Sequence, residues 1–249
     1  MRIRPRRLLL PLPPIMSGFY WARFLYYASG MTLFAMSVQM LLFMLEKCLV
    51  DLSIDYSSLW RLLPENMASK YSSVFEALRA LRLVMSRKNY NMLVKKVSDH
   101  VLNLEDAVVN TSKLLFDPTS VLPEVRKRNV MVSVFSLLGK KAVHGILDRH
   151  GLDKQFDSYV ARVRIDQPPG FMFPLRMARL LIKDRPGIIL FICGDADSIR
   201  QVRAANVAGV KIVALPVKTS EVRNIIMLKP DVFLPNLHEV LDLIDLGIV

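Results

Sequence analysis

From about residue 116 onward, short β-rich runs alternate with helix-forming stretches, and that order narrows the fold more than any other feature of the chain. The runs are VMVSVFS at 130–136, SYVARV at 158–163, IILFIC at 188–193 and KIVAL at 211–215. Between them lie GKKAVHGILDRH at 139–150, PLRMARLLIKD at 174–184 and SIRQVRAANVAG at 198–209. A strand, a helix and a further strand in sequence build a parallel sheet with helices on both faces. The expected class is therefore α/β, and ligands of such sheets bind at the carboxyl ends of the strands.

Residues 55–115 have a different texture. Tyr71, Val74, Phe75, Leu78 and Leu81 fall at i, i+3, i+4, i+7 and i+10, and Leu93, Val97, Val101, Leu104 and Val108 recur at threes and fours. Such spacing is one face of a helix, and no strand-like alternation interrupts it. The segment reads as an all-helical unit of its own.

Ahead of it, MLLFML at 40–45 has two readings. No charged residue falls between Phe24 and Leu45, and arginines lie on the N-terminal side. A membrane span takes about 20 apolar residues with positive flanks of this kind. Alternatively 40–45 is a buried strand, and the remaining apolar stretch is short for a span. The strand is the reading adopted. Residues 1–38 are then an extension that the α/β unit does not need, with membrane association through residues 18–39 as the alternative. Met31, Met36 and Met40 offer later start points.

The formal net charge is +12, which favours acidic partners: phosphates, anionic lipid or nucleic acid. Basic residues are spread through the chain rather than gathered into a stripe, which argues against specific nucleic-acid binding. Hydrophobic residues make up 52% of the chain. The two cysteines, Cys48 and Cys193, cannot build a disulfide framework, and the four histidines show no zinc spacing. Reduced thiols and a cytoplasmic location are the expectation.

Polar groups sit where strands end. Ser136 closes the run at 130–136, Asp195 and Asp197 follow 188–193, and Glu46 and Lys47 follow 40–45. With helix N-termini adding backbone N–H groups, this describes a phosphate or carboxylate site, with a divalent ion on the acids. Ser and Asp are also favoured helix N-caps, and that plain role stands beside the functional one.

At this point the chain resembles a known family. Phe43-Met44-Leu45-Glu46-Lys47-Cys48-Leu49-Val50-Asp51 is similar in frame to the Phe-Asp-x-Asp-Gly-Thr-Leu-Val-Asp motif of the haloacid dehalogenase (HAD) superfamily, in its phosphoglycolate phosphatase-like branch. VSVFS matches the second motif at Ser136, AVHGILDRHGLDKQFD its helix and Phe-Asp signature, Gln167-Pro168 the Lys-Pro position, and IILFICGDADSIRQVRAANVAG the Gly-Asp strand and helix. The resemblance covers roughly residues 40–249. It implies a Rossmann-like HAD core from 39–54 and 116–249, with 55–115 as an inserted all-helical cap. It also implies a magnesium (Mg2+) dependent hydrolase of small phosphorylated molecules.

The departures fall on the chemistry. The resemblance places the nucleophile at Met44, where there is neither charge nor oxygen, although an anionic oxygen must attack phosphorus. The general acid and base falls on Glu46, one methylene longer than the family's Asp, in a reaction sensitive to near-attack geometry. Lys47 replaces a turn Gly. Gln167 replaces the charge-neutralising Lys, with Arg164 or Lys140 as nearby cations. Phosphate contacts fall to Ser136, Lys47 and Gln167, and a weakened metal site to one or other of Asp195 and Asp197. The expected function is a phosphatase-fold protein with a degenerate, non-catalytic centre that retains anion binding. Two alternatives stand beside it: an active magnesium-dependent phosphomonoester hydrolase, and a membrane-anchored interaction protein.

Overall fold

The computed structural model describes residues 37–166, 171–183 and 187–246. Its centre is strand β1 (Val38–Met44), whose VQMLLFM run is buried along almost its whole length. A strand covered on both faces reads as continuous apolar sequence, so the run that starts at residue 40 is a sheet strand through Met44, with Leu45 opening the turn, and not the end of a membrane span. No helix among the described residues is long and apolar enough to cross a membrane. The rest of the apolar N-terminal stretch, through residue 36, lies outside the described residues.

After β1 the chain forms β2 (Val50–Asp51), then two helices, α1 (Val74–Leu81) and α2 (Arg87–Thr111), and returns through β3 (Lys113–Leu114). β2 and β3 pair antiparallel, Val50 with Leu114 and Asp51 with Lys113, so the helical insertion leaves and re-enters through one short ribbon. Sequence periodicity had left residues 113–114 without a strand, and two residues are too few to show alternation. Inside the insertion Leu59, Leu63, Val74, Ala77, Leu78, Leu81, Val97 and Val101 form a hydrophobic cluster, joined by Ile165 from outside it. Ser73 caps α1 by accepting from the Glu76 N–H, and Ser86 caps α2 by accepting from the Asn89 N–H.

The alternating region follows as α3 (Leu122–Lys127), β4 (Met131–Gly139), α4 (Lys140–Arg149), β5 (Ser158–Arg162), α5 (Met172–Leu181), β6 (Ile188–Cys193), α6 (Ala196–Ala205), β7 (Val210–Ala214), α7 (Thr219–Met227), β8 (Val232–Phe233) and α8 (Val240–Leu246). The six-stranded sheet has the order β5-β4-β1-β6-β7-β8, and every pairing is parallel. The expected α/β class, a Rossmann-like sheet flanked by helices, is the one observed. Aromatic rings fill the core: Phe135, Phe171 and Phe191 lie 4.6–5.7 Å apart between centroids, and Phe43 meets Phe156 edge-on at 5.9 Å.

The strand order locates the site. The chain steps from β1 to β4 and β5 on one side, then crosses to β6, β7 and β8 on the other. This reversal at β1 leaves a crevice at the carboxyl ends of β4, β1 and β6.

Candidate functional site at the carboxyl edge of the sheet

A cavity of about 760 Å³ opens at this crevice, lined among others by Glu46, Lys47, Leu137, Gly194, Asp195 and Asp197 from the sheet side and by Tyr56, Ser73 and Phe75 from the helical insertion. Its floor begins with a tight turn after β1. The Leu45 N–H donates to Phe135 O at 2.8 Å, and the Val50 N–H donates back to Leu45 O at 2.9 Å. To close this turn Lys47 takes a left-handed backbone, φ 61°. Only glycine adopts that conformation without cost, so Lys47 is held there by its surroundings. Its N–H donates to Val50 O at 2.9 Å. Its carbonyl oxygen packs against Gly194, so closely that a Cβ at Gly194 would overlap it.

Glu46 is 9% exposed. Its Oε1 accepts from the Ser136 hydroxyl at 2.8 Å and from the Leu137 N–H at 3.0 Å, while the Leu138 N–H donates to Ser136 Oγ at 3.0 Å. Oε2 is buried without a hydrogen-bond partner. Burial pushes the Glu46 carboxyl above the ordinary carboxylate range, and the hydrogen bonds it accepts only partly offset that desolvation. Ser136 is itself fully buried and does not line the cavity; it meets the centre only through its hydroxyl, which is committed to Glu46. The strand it was expected to close runs on to Gly139, with its register on β5 shifting beyond Phe135.

Asp195 caps α6. Its Oδ1 accepts from the Asp197 and Ser198 N–H groups at 3.0 and 3.1 Å, and its Oδ2 from the Ser198 hydroxyl at 2.6 Å. The Lys47 ammonium lies 3.9 Å from Asp195 Oδ1. Asp197, in the first turn of α6, pairs instead with Arg200 at 2.6 Å. Met44 ends β1 as a buried side chain and does not line the cavity. Gln167 lies outside the described residues. Arg164 pairs with Asp166 at 2.9 Å, and Lys140 lies over the Tyr159 ring in a neighbouring groove. Neither lines the cavity.

Magnesium takes near-octahedral oxygen ligands, usually with one or two carboxylates, and the donors here fit it poorly. Met44 offers a thioether, both Asp195 oxygens are taken up by the α6 cap, and an ammonium stands before them. Among the described residues, no group of three or more His, Cys, Asp or Glu side chains is placed to hold a metal ion. Cys48 and Cys193 are free and buried. Burial raises both thiols above their ordinary range, with Asp195 adding to it for each.

Three participants escaped the sequence reading. Glu105 on α2 is fully buried and joins the insertion to the sheet. Its Oε1 accepts from Tyr56 Oη at 3.0 Å and Arg162 Nη2 at 2.7 Å, and its Oε2 from the Gly139 N–H at 3.0 Å. The available signal was an acid four residues beyond Val101, on the face that carries Val97 and Val101. Arg162 at the end of β5 and Lys218 before α7, which pairs with Asp51 at 3.2 Å, carried no motif.

Among solved structures the chain is similar to a phosphatase from Clostridium difficile, with a TM-score of 0.55 and 14% identity over 84% of this chain and 99% of that one. A haloacid dehalogenase-like hydrolase from Streptococcus pneumoniae has a TM-score of 0.52 and 13% identity, covering 82% and 97%. A phosphoglycolate phosphatase from Lactobacillus delbrueckii has a TM-score of 0.53 and 13% identity, covering 84% and 99%. No protein-family model matches the chain, and no curated protein matches it. The fold is that of the HAD-superfamily phosphatases, as the motifs had implied.

Proposed function

We propose that the protein is a non-catalytic member of this fold, a pseudoenzyme whose carboxyl-edge cavity binds a small phosphorylated molecule or related anion. The observation that carries the reading is the end of β1. Where the resemblance calls for an attacking carboxylate there is the buried Met44 side chain, and the turn that follows carries the Lys47 ammonium toward Asp195. A thioether cannot become a phosphoryl acceptor of the carboxylate type. The anion contacts in this reading come from Lys47, Ser136 and Gln167, with Ser136 exchanging its bond to Glu46 for one to the ligand. Magnesium is at most weakly held on Asp195 or Asp197.

Domain roles follow from the same reading. Residues 39–54 and 116–249 act as the core and 55–115 as a helical cap, supported by the insertion's own hydrophobic cluster and its share of the cavity wall. Two buried free thiols fit a reducing compartment such as the cytoplasm.

The test is purified full-length protein with a generic phosphomonoester and magnesium. The expected result is no hydrolysis above background. Hydrolysis that disappears in Glu46→Gln or Asp195→Asn would overturn the reading. One observation favours that rival, an active magnesium-dependent hydrolase: a buried carboxyl held above its ordinary range, as Glu46 is, suits a general acid.

A further inference from the structure

We infer that the Lys47 ammonium is a built-in cation that takes the place of a divalent metal, so that the cavity binds a phosphate-type anion without any metal ion. This rests on the anion-binding reading above and specifies how the charge of the ligand is met. Lys47 is positioned by its backbone. The turn holds it at φ 61°, its N–H is bonded to Val50 O, and its carbonyl is seated against Gly194. From there the ammonium reaches to within 3.9 Å of Asp195 while the side chain stays 56% exposed to the cavity.

Asp195, the acid that would hold a metal, is engaged from three sides by Asp197 N, Ser198 N and Ser198 Oγ. A carboxylate so committed, facing an ammonium, leaves little for a cation that demands several oxygen ligands in fixed geometry. The other basic groups of the cavity are more tightly held than Lys47. Arg200 lies 2.6 Å from Asp197, Lys218 lies 3.2 Å from Asp51, and Arg162 lies 2.7 Å from the buried Glu105. Glu221 also lines the wall. One loosely held cation in a cavity with this many acids gives modest affinity.

A second observation points to a ligand at the same place. Glu46, the residue before Lys47, lines the cavity with Oε2 buried and unpartnered. An orphaned buried polar atom costs about 1–3 kcal/mol unless a partner reaches it. A ligand that enters beside Lys47 and reaches Glu46 Oε2 supplies that partner, and burial, by raising the carboxyl above its ordinary range, favours the proton such a contact needs.

The experiment titrates inorganic phosphate into the full-length protein by calorimetry, once with EDTA and once with magnesium. The proposal expects the same Kd in both, within about twofold. Lys47→Gly, which relieves the turn rather than straining it, is expected to weaken binding tenfold or more. Asp195→Asn is expected to keep or tighten binding, because asparagine still caps α6 and no longer competes for the ammonium. In a metal site that variant would lose binding. Binding that requires magnesium, that survives Lys47→Gly unchanged or that vanishes in Asp195→Asn overturns this inference while leaving the anion-binding reading in place. Absence of phosphate binding under both conditions overturns both, and hydrolysis of a phosphomonoester overturns the non-catalytic reading alone.

Discussion

Replacing Glu105 with alanine should be among the most damaging single changes in the described part of the chain. The carboxylate is fully buried and accepts three hydrogen bonds, from Tyr56, Arg162 and Gly139. The Arg162 side chain is itself only 12% exposed. Removing one partner of a buried ion pair costs about 3–5 kcal/mol, because the remaining charge stays buried. Here the Tyr56 hydroxyl and the Gly139 N–H lose their acceptor as well. These losses share one network and do not add, so the expected destabilisation is about 3–5 kcal/mol. For a domain of this size that corresponds to a fall in Tm of roughly 6–20 °C. Urea unfolding followed by circular dichroism measures it, as a lower midpoint with an unchanged slope. Pairing the change with Arg162→Met removes the stranded guanidinium, so the double variant should be more stable than the sum of the two single losses. A loss under about 1 kcal/mol in Glu105→Ala, or strict additivity in the double variant, would refute the buried network as the link between α2 and the ends of β4 and β5.

Glu46→Gln tests the buried carboxyl through pH. Below the ordinary carboxyl value of 4.5, Glu46 is protonated whether the chain is folded or unfolded. Above it the unfolded chain releases the proton while the folded chain keeps it, so folding stability falls as pH rises until the folded group itself ionises. The slope is at most about 1.4 kcal/mol per pH unit. Urea midpoints of Glu46→Gln should therefore overtake wild type increasingly above that value, and a difference independent of pH would contradict the burial argument. Gly194→Ala forces a Cβ onto the Lys47 carbonyl and the Val217 side chain. A loss of about 1–3 kcal/mol is expected from overpacking at such a backbone contact, and unchanged stability would mean that the turn after β1 yields freely.

Much of the fold was legible because periodicity is a local property. IILFIC at 188–193 is β6 residue for residue, and the run 211–215 overlaps all but one residue of β7. A strand buried on both faces must be apolar throughout, and a chain of such strands separated by helices has few ways to fold. The helical insertion was legible for the same reason. What resisted reading was short or mixed: the two-residue β2 and β3, and the extension of β4 past Ser136 to Gly139.

The site divides along the same line. Glu46, Lys47, Ser136 and Asp195 were named from motif frame and strand ends, and the sheet brings them to one cavity edge, Ser136 through its bond to Glu46. Asp195 and Asp197 could not be separated on paper, because both stand at a helix start where acids are common. The tertiary structure gave them different partners, the cap and Lys47 for one and Arg200 for the other. Glu105 and Arg162 are 57 residues apart and their pairing was invisible in sequence. The sequence by itself determined an α/β sheet, its helical insertion and a methionine at the end of the first strand. The partners of each charge were decided only by the tertiary structure, because a charge in a crevice answers to whatever the folded chain sets within a few ångströms of it, however distant along the chain.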